Sequence, residues 1–125
     1  MTYIHPFAEP NVIYGQGTIS LEILEMNPDI DVLLVAIGGG GLIAGVAAAA
    51  KLVKPEIRIV GVEPIGAPTH HASREAGELV TLSTVDTKAG TLAPKRSEEL
   101  NYNLIQKYVD DIVLVSDSAM QDAAQ

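Results

Sequence analysis

The hydrophobic pattern changes period several times along the chain. Val32-Leu33-Leu34-Val35-Ala36-Ile37 is a continuous apolar run rich in branched side chains. Such a run predicts a strand buried on both faces, as in a parallel sheet. Ile57 to Val62 and Ile112 to Val115 repeat the signal, which predicts three strands in all. Helical spacing fills the intervals. Leu42 to Val53 is apolar and Ala-rich and reads as a helix buried nearly all round, ended by Lys54-Pro55. Pro68 to Ala76 predicts a further helix with Gly77 closing it. Ser97 is placed to cap another, with Glu98 and Glu99 in its first turn and an apolar stripe of Leu100, Leu104 and Tyr108. Ahead of the first strand, Asn11 to Tyr14 predicts a short helical turn before Gly15-Gln16-Gly17. Thr18 then caps a helix carrying Ile19, Ile23 and Met26, which stops at Asn27-Pro28. At the far end Ser118-Ala119-Met120-Gln121 matches a capping box. Leu79 to Pro94 lacks a clear period and is expected to be an irregular loop with one short strand.

Strands separated by helices predict a single α/β domain over residues 1–125. The expected architecture is a three-layer sandwich, a small and mostly parallel sheet flanked by helices. Three strands make a small sheet for this class, and the last helix is cut off at Gln125. A piece of something larger would look this way. Unpaired sheet edges and uncovered helix faces also predict self-association, with a C2 homodimer as the simplest closed arrangement.

Composition narrows the field. The chain is 47% hydrophobic and 19% charged, which excludes a disordered polymer. Cysteine is absent, so there is no disulfide framework, thiolate metal site or thiol nucleophile. A formal net charge of -8 repels phosphate backbones and argues against nucleic acid as a partner. No apolar run reaches the ~20 residues of a membrane helix. Met1 to Pro6 has neither a basic nor an apolar leader region. The default location is therefore the cytoplasm. Aromatic residues are scarce at 4%, so Val, Ile, Leu and Ala must build the core.

Gly38-Gly39-Gly40-Gly41-Leu42 is the most informative segment, because a strand ends there and a helix begins. Residues without Cβ let the backbone take positive φ and approach a ligand closely. The first amides of the following helix are unpaired, and the helix dipole adds roughly half a positive charge. That combination binds phosphate without Lys or Arg. A tight turn under neighbouring helices is the plainer explanation, but it needs only one or two glycines. The phosphate could belong to a dinucleotide. Gly39-Gly40-Gly41-Leu42-Ile43-Ala44 fits G-x-G-x-x-A, with Glu63 ending the next strand as the ribose acceptor.

Larger pieces resemble a known family. They are Tyr3-Ile4-His5-Pro6-Phe7, Gly15-Gln16-Gly17-Thr18-Ile19-Ser20-Leu21-Glu22-Ile23 and Ile37-Gly38-Gly39-Gly40-Gly41-Leu42-Ile43-Ala44-Gly45, followed by Gly61-Val62-Glu63-Pro64 and Val109-Asp110-Asp111-Ile112-Val113. In order and spacing the chain resembles the threonine dehydratase and serine racemase family of fold-type II pyridoxal phosphate enzymes, the threonine dehydratases most. The resemblance implies part of a fold-type II domain from a threonine or serine ammonia-lyase. It also implies that Gly38, Gly39, Gly40, Gly41 and Leu42 hold the phosphate of pyridoxal phosphate through their amides.

The departures matter as much. The family's Schiff-base lysine lies upstream, and none of Lys51, Lys54, Lys88, Lys95 or Lys107 sits in its motif. The family's partner for the pyridine nitrogen lies beyond Gln125. The family commonly has an acidic residue and then glycine where this chain has Ala89-Gly90-Thr91. No catalytic residue is assigned, and the chain is expected to be inactive by itself. In some members an acidic residue like Glu63 helps bind a divalent cation, with a backbone carbonyl at the position of Ala67. The further carboxylate expected near Thr69 is missing here, and a solvated strand-end role for Glu63 competes. His70 and His71 are neighbours on a helix, about 100° apart, and cannot chelate one ion together. His5 before Pro6 is expected to end an extended segment. Two other readings stay open: a stand-alone phosphate- or dinucleotide-binding module, and a ligand-free self-associating protein.

Overall fold

Three parallel strands form the sheet of this computed structural model, which describes residues 1–125. The order along the chain is α1 (Pro10–Met26), β1 (Val32–Ala36), α2 (Gly41–Val53), β2 (Arg58–Pro64) and α3 (Thr69–Ala76). A 3-10 turn (Gly90–Leu92), α4 (Glu99–Tyr108), β3 (Asp111–Val115) and α5 (Asp117–Ala123) complete it. The architecture is α/β, with β2 between β1 and β3. Val35 pairs with Gly61, and Gly61 with Ile112. Alternate residues face opposite ways. Val35, Ile59, Gly61 and Ile112 are buried with Ile43, Ala47 and Ile105 of the helices. Each buried Ile or Val contributes about 1.5–3 kcal/mol of transfer free energy. The other set includes Val32, Leu34 and Val113, which stay exposed at 48%, 71% and 40%. An uncovered apolar surface thus lies on that face of the sheet, on both β1 and β3. No helix is long and apolar enough to cross a membrane.

Several local expectations need correcting. Gly15-Gln16-Gly17 does not interrupt a helix. α1 runs straight through it, and the Thr18 hydroxyl donates to the Gly15 carbonyl at 2.7 Å instead of capping. The reason is tertiary. A Cβ at Gly17 would lie 3.1 Å from the Gly45 carbonyl oxygen, and one at Gly45 would lie 2.8 Å from the Gly17 nitrogen. The two glycines let α1 and α2 touch backbone to backbone, and this contact offsets the roughly 1 kcal/mol that each glycine costs a helix.

Ser97 does not cap α4; Glu98 occupies that position, without a side-chain cap. The buried face of α4 is Asn101 and Ile105, whereas Leu100 is 39% exposed. Ser116, not Ser118, caps α5, its hydroxyl accepting from the Ala119 amide at 3.2 Å. Between residues 79 and 94 there is no strand, only the 3-10 turn. Gly77 closes α3 with φ of 73°, as expected.

Opposite effects are expected at two glycines of similar sequence context. Gly45→Ala should lower the free energy of unfolding by about 1–3 kcal/mol, because the new Cβ drives α1 from α2. Gly15→Ala meets nothing within 4 Å and should raise it by about 0.5–1 kcal/mol. Urea midpoints of the two variants check both signs.

Candidate functional site

The site is the exit of β1. Ile37 still donates to the Val62 carbonyl at 2.9 Å, and then the chain leaves the sheet. Gly40 turns it into α2 with φ of 97°, a left-handed conformation that favours glycine. No amide from Gly38 to Ile43 donates to an acceptor of this chain; the ladder resumes only with Ala44 to the Gly40 carbonyl at 3.0 Å. Donors without partners thus cluster at a helix N-terminus along Gly38, Gly39, Gly40, Gly41 and Leu42, the segment expected to hold a phosphate. All five border a cleft of about 230 Å³ with Pro6, Phe7, Gln16, Ala36, Thr91 and Leu92. No Lys or Arg lines it, so electrostatic attraction there comes from amides and the α2 dipole.

Packing explains why four glycines stand in a row. A Cβ on Gly38 would meet the Thr91 carbonyl oxygen at 2.7 Å. Gly39 has no room beside the Phe7 ring, and at Gly41 the Cα of Phe7 would be 2.9 Å away. At Gly40 the obstacles are His70 Nε2 at 2.7 Å and Ile105 Cδ1 at 2.9 Å. The protein side of the loop therefore demands each glycine, independently of any ligand.

Three side chains converge on that protein side. Ser97 Oγ donates to the Gly39 carbonyl at 2.6 Å, Asn101 Nδ2 at 3.0 Å, and His70 Nε2 approaches it at 3.3 Å. Asn101 Nδ2 also donates to the Phe7 carbonyl at 2.6 Å, tying the N-terminal segment to the loop. His5 stands just before the turn at Pro6 to Ala8, and its Nδ1 accepts from the Ala8 amide at 3.1 Å. Burial lowers the His70 pKa to about 4, so the ring is neutral at neutral pH. With Nε2 carrying the proton toward Gly39, Nδ1 is a buried acceptor without a partner.

Glu63 is not a solvated strand-end residue. It is 1% exposed, and its two carboxylate oxygens accept from the His70 and His71 amides, each at 2.8 Å. Burial pushes its pKa up to about 7, against the pull of those two bonds. Because both oxygens hold the start of α3, the carboxylate is not offered to the glycine cleft as a ribose acceptor. The geometry also lends no support to the cation site expected at Glu63 and Ala67. Ala67 is buried, and no group of three His, Cys, Asp or Glu side chains gathers anywhere in the chain. Lys51 and Lys54 lie at the other end of α2, where they bind Asp110 and the Pro28 and Ile30 carbonyls.

Sequence reasoning missed Ser97, Asn101 and His70 as members of the site. One trace was available. Asn101 stands one helical turn before Ile105, so it shares the face that α4 buries.

Comparisons with known proteins place the chain in a family. The sequence profile of a family described as "Pyridoxal-phosphate dependent enzyme" matches residues 1–125. The chain is 42% identical over 121 residues to an L-threonine ammonia-lyase of Thermotoga maritima, covering 97% of this chain and 30% of that protein. It is 47% identical over 120 residues to a serine racemase of Oryza sativa subsp. indica, covering 96% and 35%. The fold superposes on the structure of maize serine racemase with a TM-score of 0.93 at 45% identity, covering 96% of this chain and 37% of that one. The chain spans about a third of the length of these relatives.

The buried histidine sets a pH dependence. Its folded pKa of about 4 lies below the ordinary 6.5, so acidification through that window puts a proton on the unfolded chain first. Its contribution to stability is full above pH 6.5 and is lost as pH falls toward 4. Glu63, raised from 4.5 to about 7, acts oppositely, favouring the fold at low pH and losing that effect as pH rises through 7. The Glu63 contribution is common to wild type and His70→Gln and cancels in their difference. Between pH 4 and 6.5, wild-type stability should therefore fall more steeply than that of His70→Gln, by up to about 1.4 kcal/mol per pH unit. Urea titrations at stepped pH measure the two slopes.

Proposed function

The chain belongs to the pyridoxal-phosphate dependent enzyme family, and from that premise we propose that it forms the phosphate-holding part of a threonine or serine ammonia-lyase or serine racemase-type protein. The observation that carries the proposal is the unpaired run of amides from Gly38 to Ile43 at the start of α2. These amides, with the α2 dipole behind them, hold and orient the phosphate of pyridoxal phosphate. The residues fit that group because their donors have no other partner and the cleft has no competing carboxylate. An acidic chain with net charge -8 needs such a local positive end to accept an anion at all. Phe7 and Leu92 give the cleft apolar walls, and Gln16 and Thr91 add polar groups beside the glycines. When bound, the cofactor supplies an electron sink for the bond broken at the amino acid's α-carbon.

Titration of the labelled chain with inorganic phosphate should move the amide resonances of Gly38 to Leu42 first. Gly40→Val should abolish that response, because a β-branched residue disfavours the left-handed φ and collides with His70 and Ile105. Shifts clustered instead on lysine and arginine side chains would sink the reading.

This part does not carry the chemistry by itself. None of the five lysines lines the cleft, so no amine is positioned there for covalent attachment and proton transfer at the α-carbon. Purified chain with excess pyridoxal phosphate and L-threonine should therefore release no 2-oxobutanoate above a protein-free blank. Turnover that disappears on Gly40 substitution would contradict this and would require one of the five lysines to act.

A further inference from the structure

The Gly39–Gly40 peptide is the one whose orientation matters most at the site and which its own residues constrain least. Glycine accepts φ of either sign. A half-turn of this peptide about its Cα–Cα axis would reverse the sign of the Gly40 φ and leave both neighbours allowed. A trans peptide points its C=O and N–H in opposite directions, and no cis bond is present. In the observed orientation the Gly39 carbonyl faces inward and the Gly40 amide faces the cleft. In the flipped one a carbonyl dipole would point its negative end at an incoming anion.

We propose that Ser97, Asn101 and His70 are positioning residues of the phosphate cradle, holding the Gly39 carbonyl inward so that the Gly40 amide faces the ligand. This rests on the reading of the glycine cleft given above. The three side chains are 1%, 0% and 1% exposed, and they come from different places: α3, the segment before α4, and α4 itself. A carbonyl oxygen has two lone pairs, yet three donors surround this one. The pocket they make suits an acceptor and rejects an amide N–H.

Asn101 fixes the polarity. Its Nδ2 is shared between the Gly39 and Phe7 carbonyls, so turning its amide over would set Oδ1 against two oxygens. Holding that orientation leaves Asn101 Oδ1 buried without a partner, and His70 Nδ1 is in the same condition. Buried polar atoms are rarely left unpaired in folded proteins. Here two unpaired acceptors accompany three donors aimed at one oxygen.

The test uses the whole labelled chain and inorganic phosphate. Asn101→Asp keeps the shape and reverses the polarity, Ser97→Ala removes one donor, Ser97→Thr retains the hydroxyl, and Asn103→Ala alters an exposed residue of α4. Asn101→Asp and Ser97→Ala are expected to weaken phosphate binding by the folded chain at least tenfold. They should also change the Gly40 N–H residual dipolar coupling before any phosphate is added. Ser97→Thr should retain more of both than Ser97→Ala does, and Asn103→Ala should leave both at wild-type values. A purely structural role would lower the urea midpoint while affinity and coupling stayed put, and that result would overturn the proposal. If Asn101→Asp does not fold, Ser97→Ala decides alone. Wild-type chain that shows no phosphate shifts would overturn the cofactor reading, while the ligand-free coupling would still report on the carbonyl clamp.

Discussion

The inward turn of the Gly39 carbonyl is the interaction on which the rest of this structure depends. It joins the end of β1 to α3 through His70, to α4 through Asn101 and to the approach of α4 through Ser97. The N-terminal segment is fastened to the same point, since Asn101 also holds the Phe7 carbonyl. Three parts of the chain far apart in sequence, around Phe7, His70 and Ser97 to Asn101, are thus registered against one peptide group. The Gly40 amide is turned away from these partners as a geometric consequence, because C=O and N–H of a trans peptide oppose each other.

Glu63 supports this arrangement from a distance. It stands near the end of β2, is buried, and receives the first two amides of α3 after Thr69. A negative group at a helix N-terminus is the favourable sign for the dipole. By fixing where α3 begins, it fixes where the His70 ring lies against Gly39. The carboxylate that looked like a candidate ligand is thus a positioning element one step removed from the loop. Its burial and that of His70 shift their proton affinities toward the neutral forms, Glu63 upward and His70 downward.

Close backbone contact also sets the outer wall. α1 lies on α2 through Gly17 and Gly45, which brings Gln16 to the rim of the cleft. In this acidic chain the glycine cleft is free of both carboxylates and basic side chains. The remaining field is that of the helix terminus, strong only within the first turn of α2. The site is therefore local and depends on backbone orientation more than on side-chain charge.

Much of this was legible in the sequence, for a physical reason. Strand and helix periods are local, so β1, β2, β3 and α2 could be placed from apolar runs alone. Gly38 to Leu42 announced a strand-to-helix turn with free amides, because unpaired donors at a helix start follow from helix geometry whatever packs around it. The positive φ of Gly77 followed likewise from its place after α3. Tertiary contact decided the rest. Gly15 and Gly17 looked like a break by propensity, but the approach of Gly45 outweighs that penalty. Ser97 looked like a cap, yet its hydroxyl is drawn to Gly39, fifty-eight residues away. Glu63 looked solvated because strand ends usually are, until α3 covered it. Which way the Gly39 peptide turns is invisible to local reasoning, since glycine permits both orientations. Only donors arriving from α3, α4 and the segment between them select one.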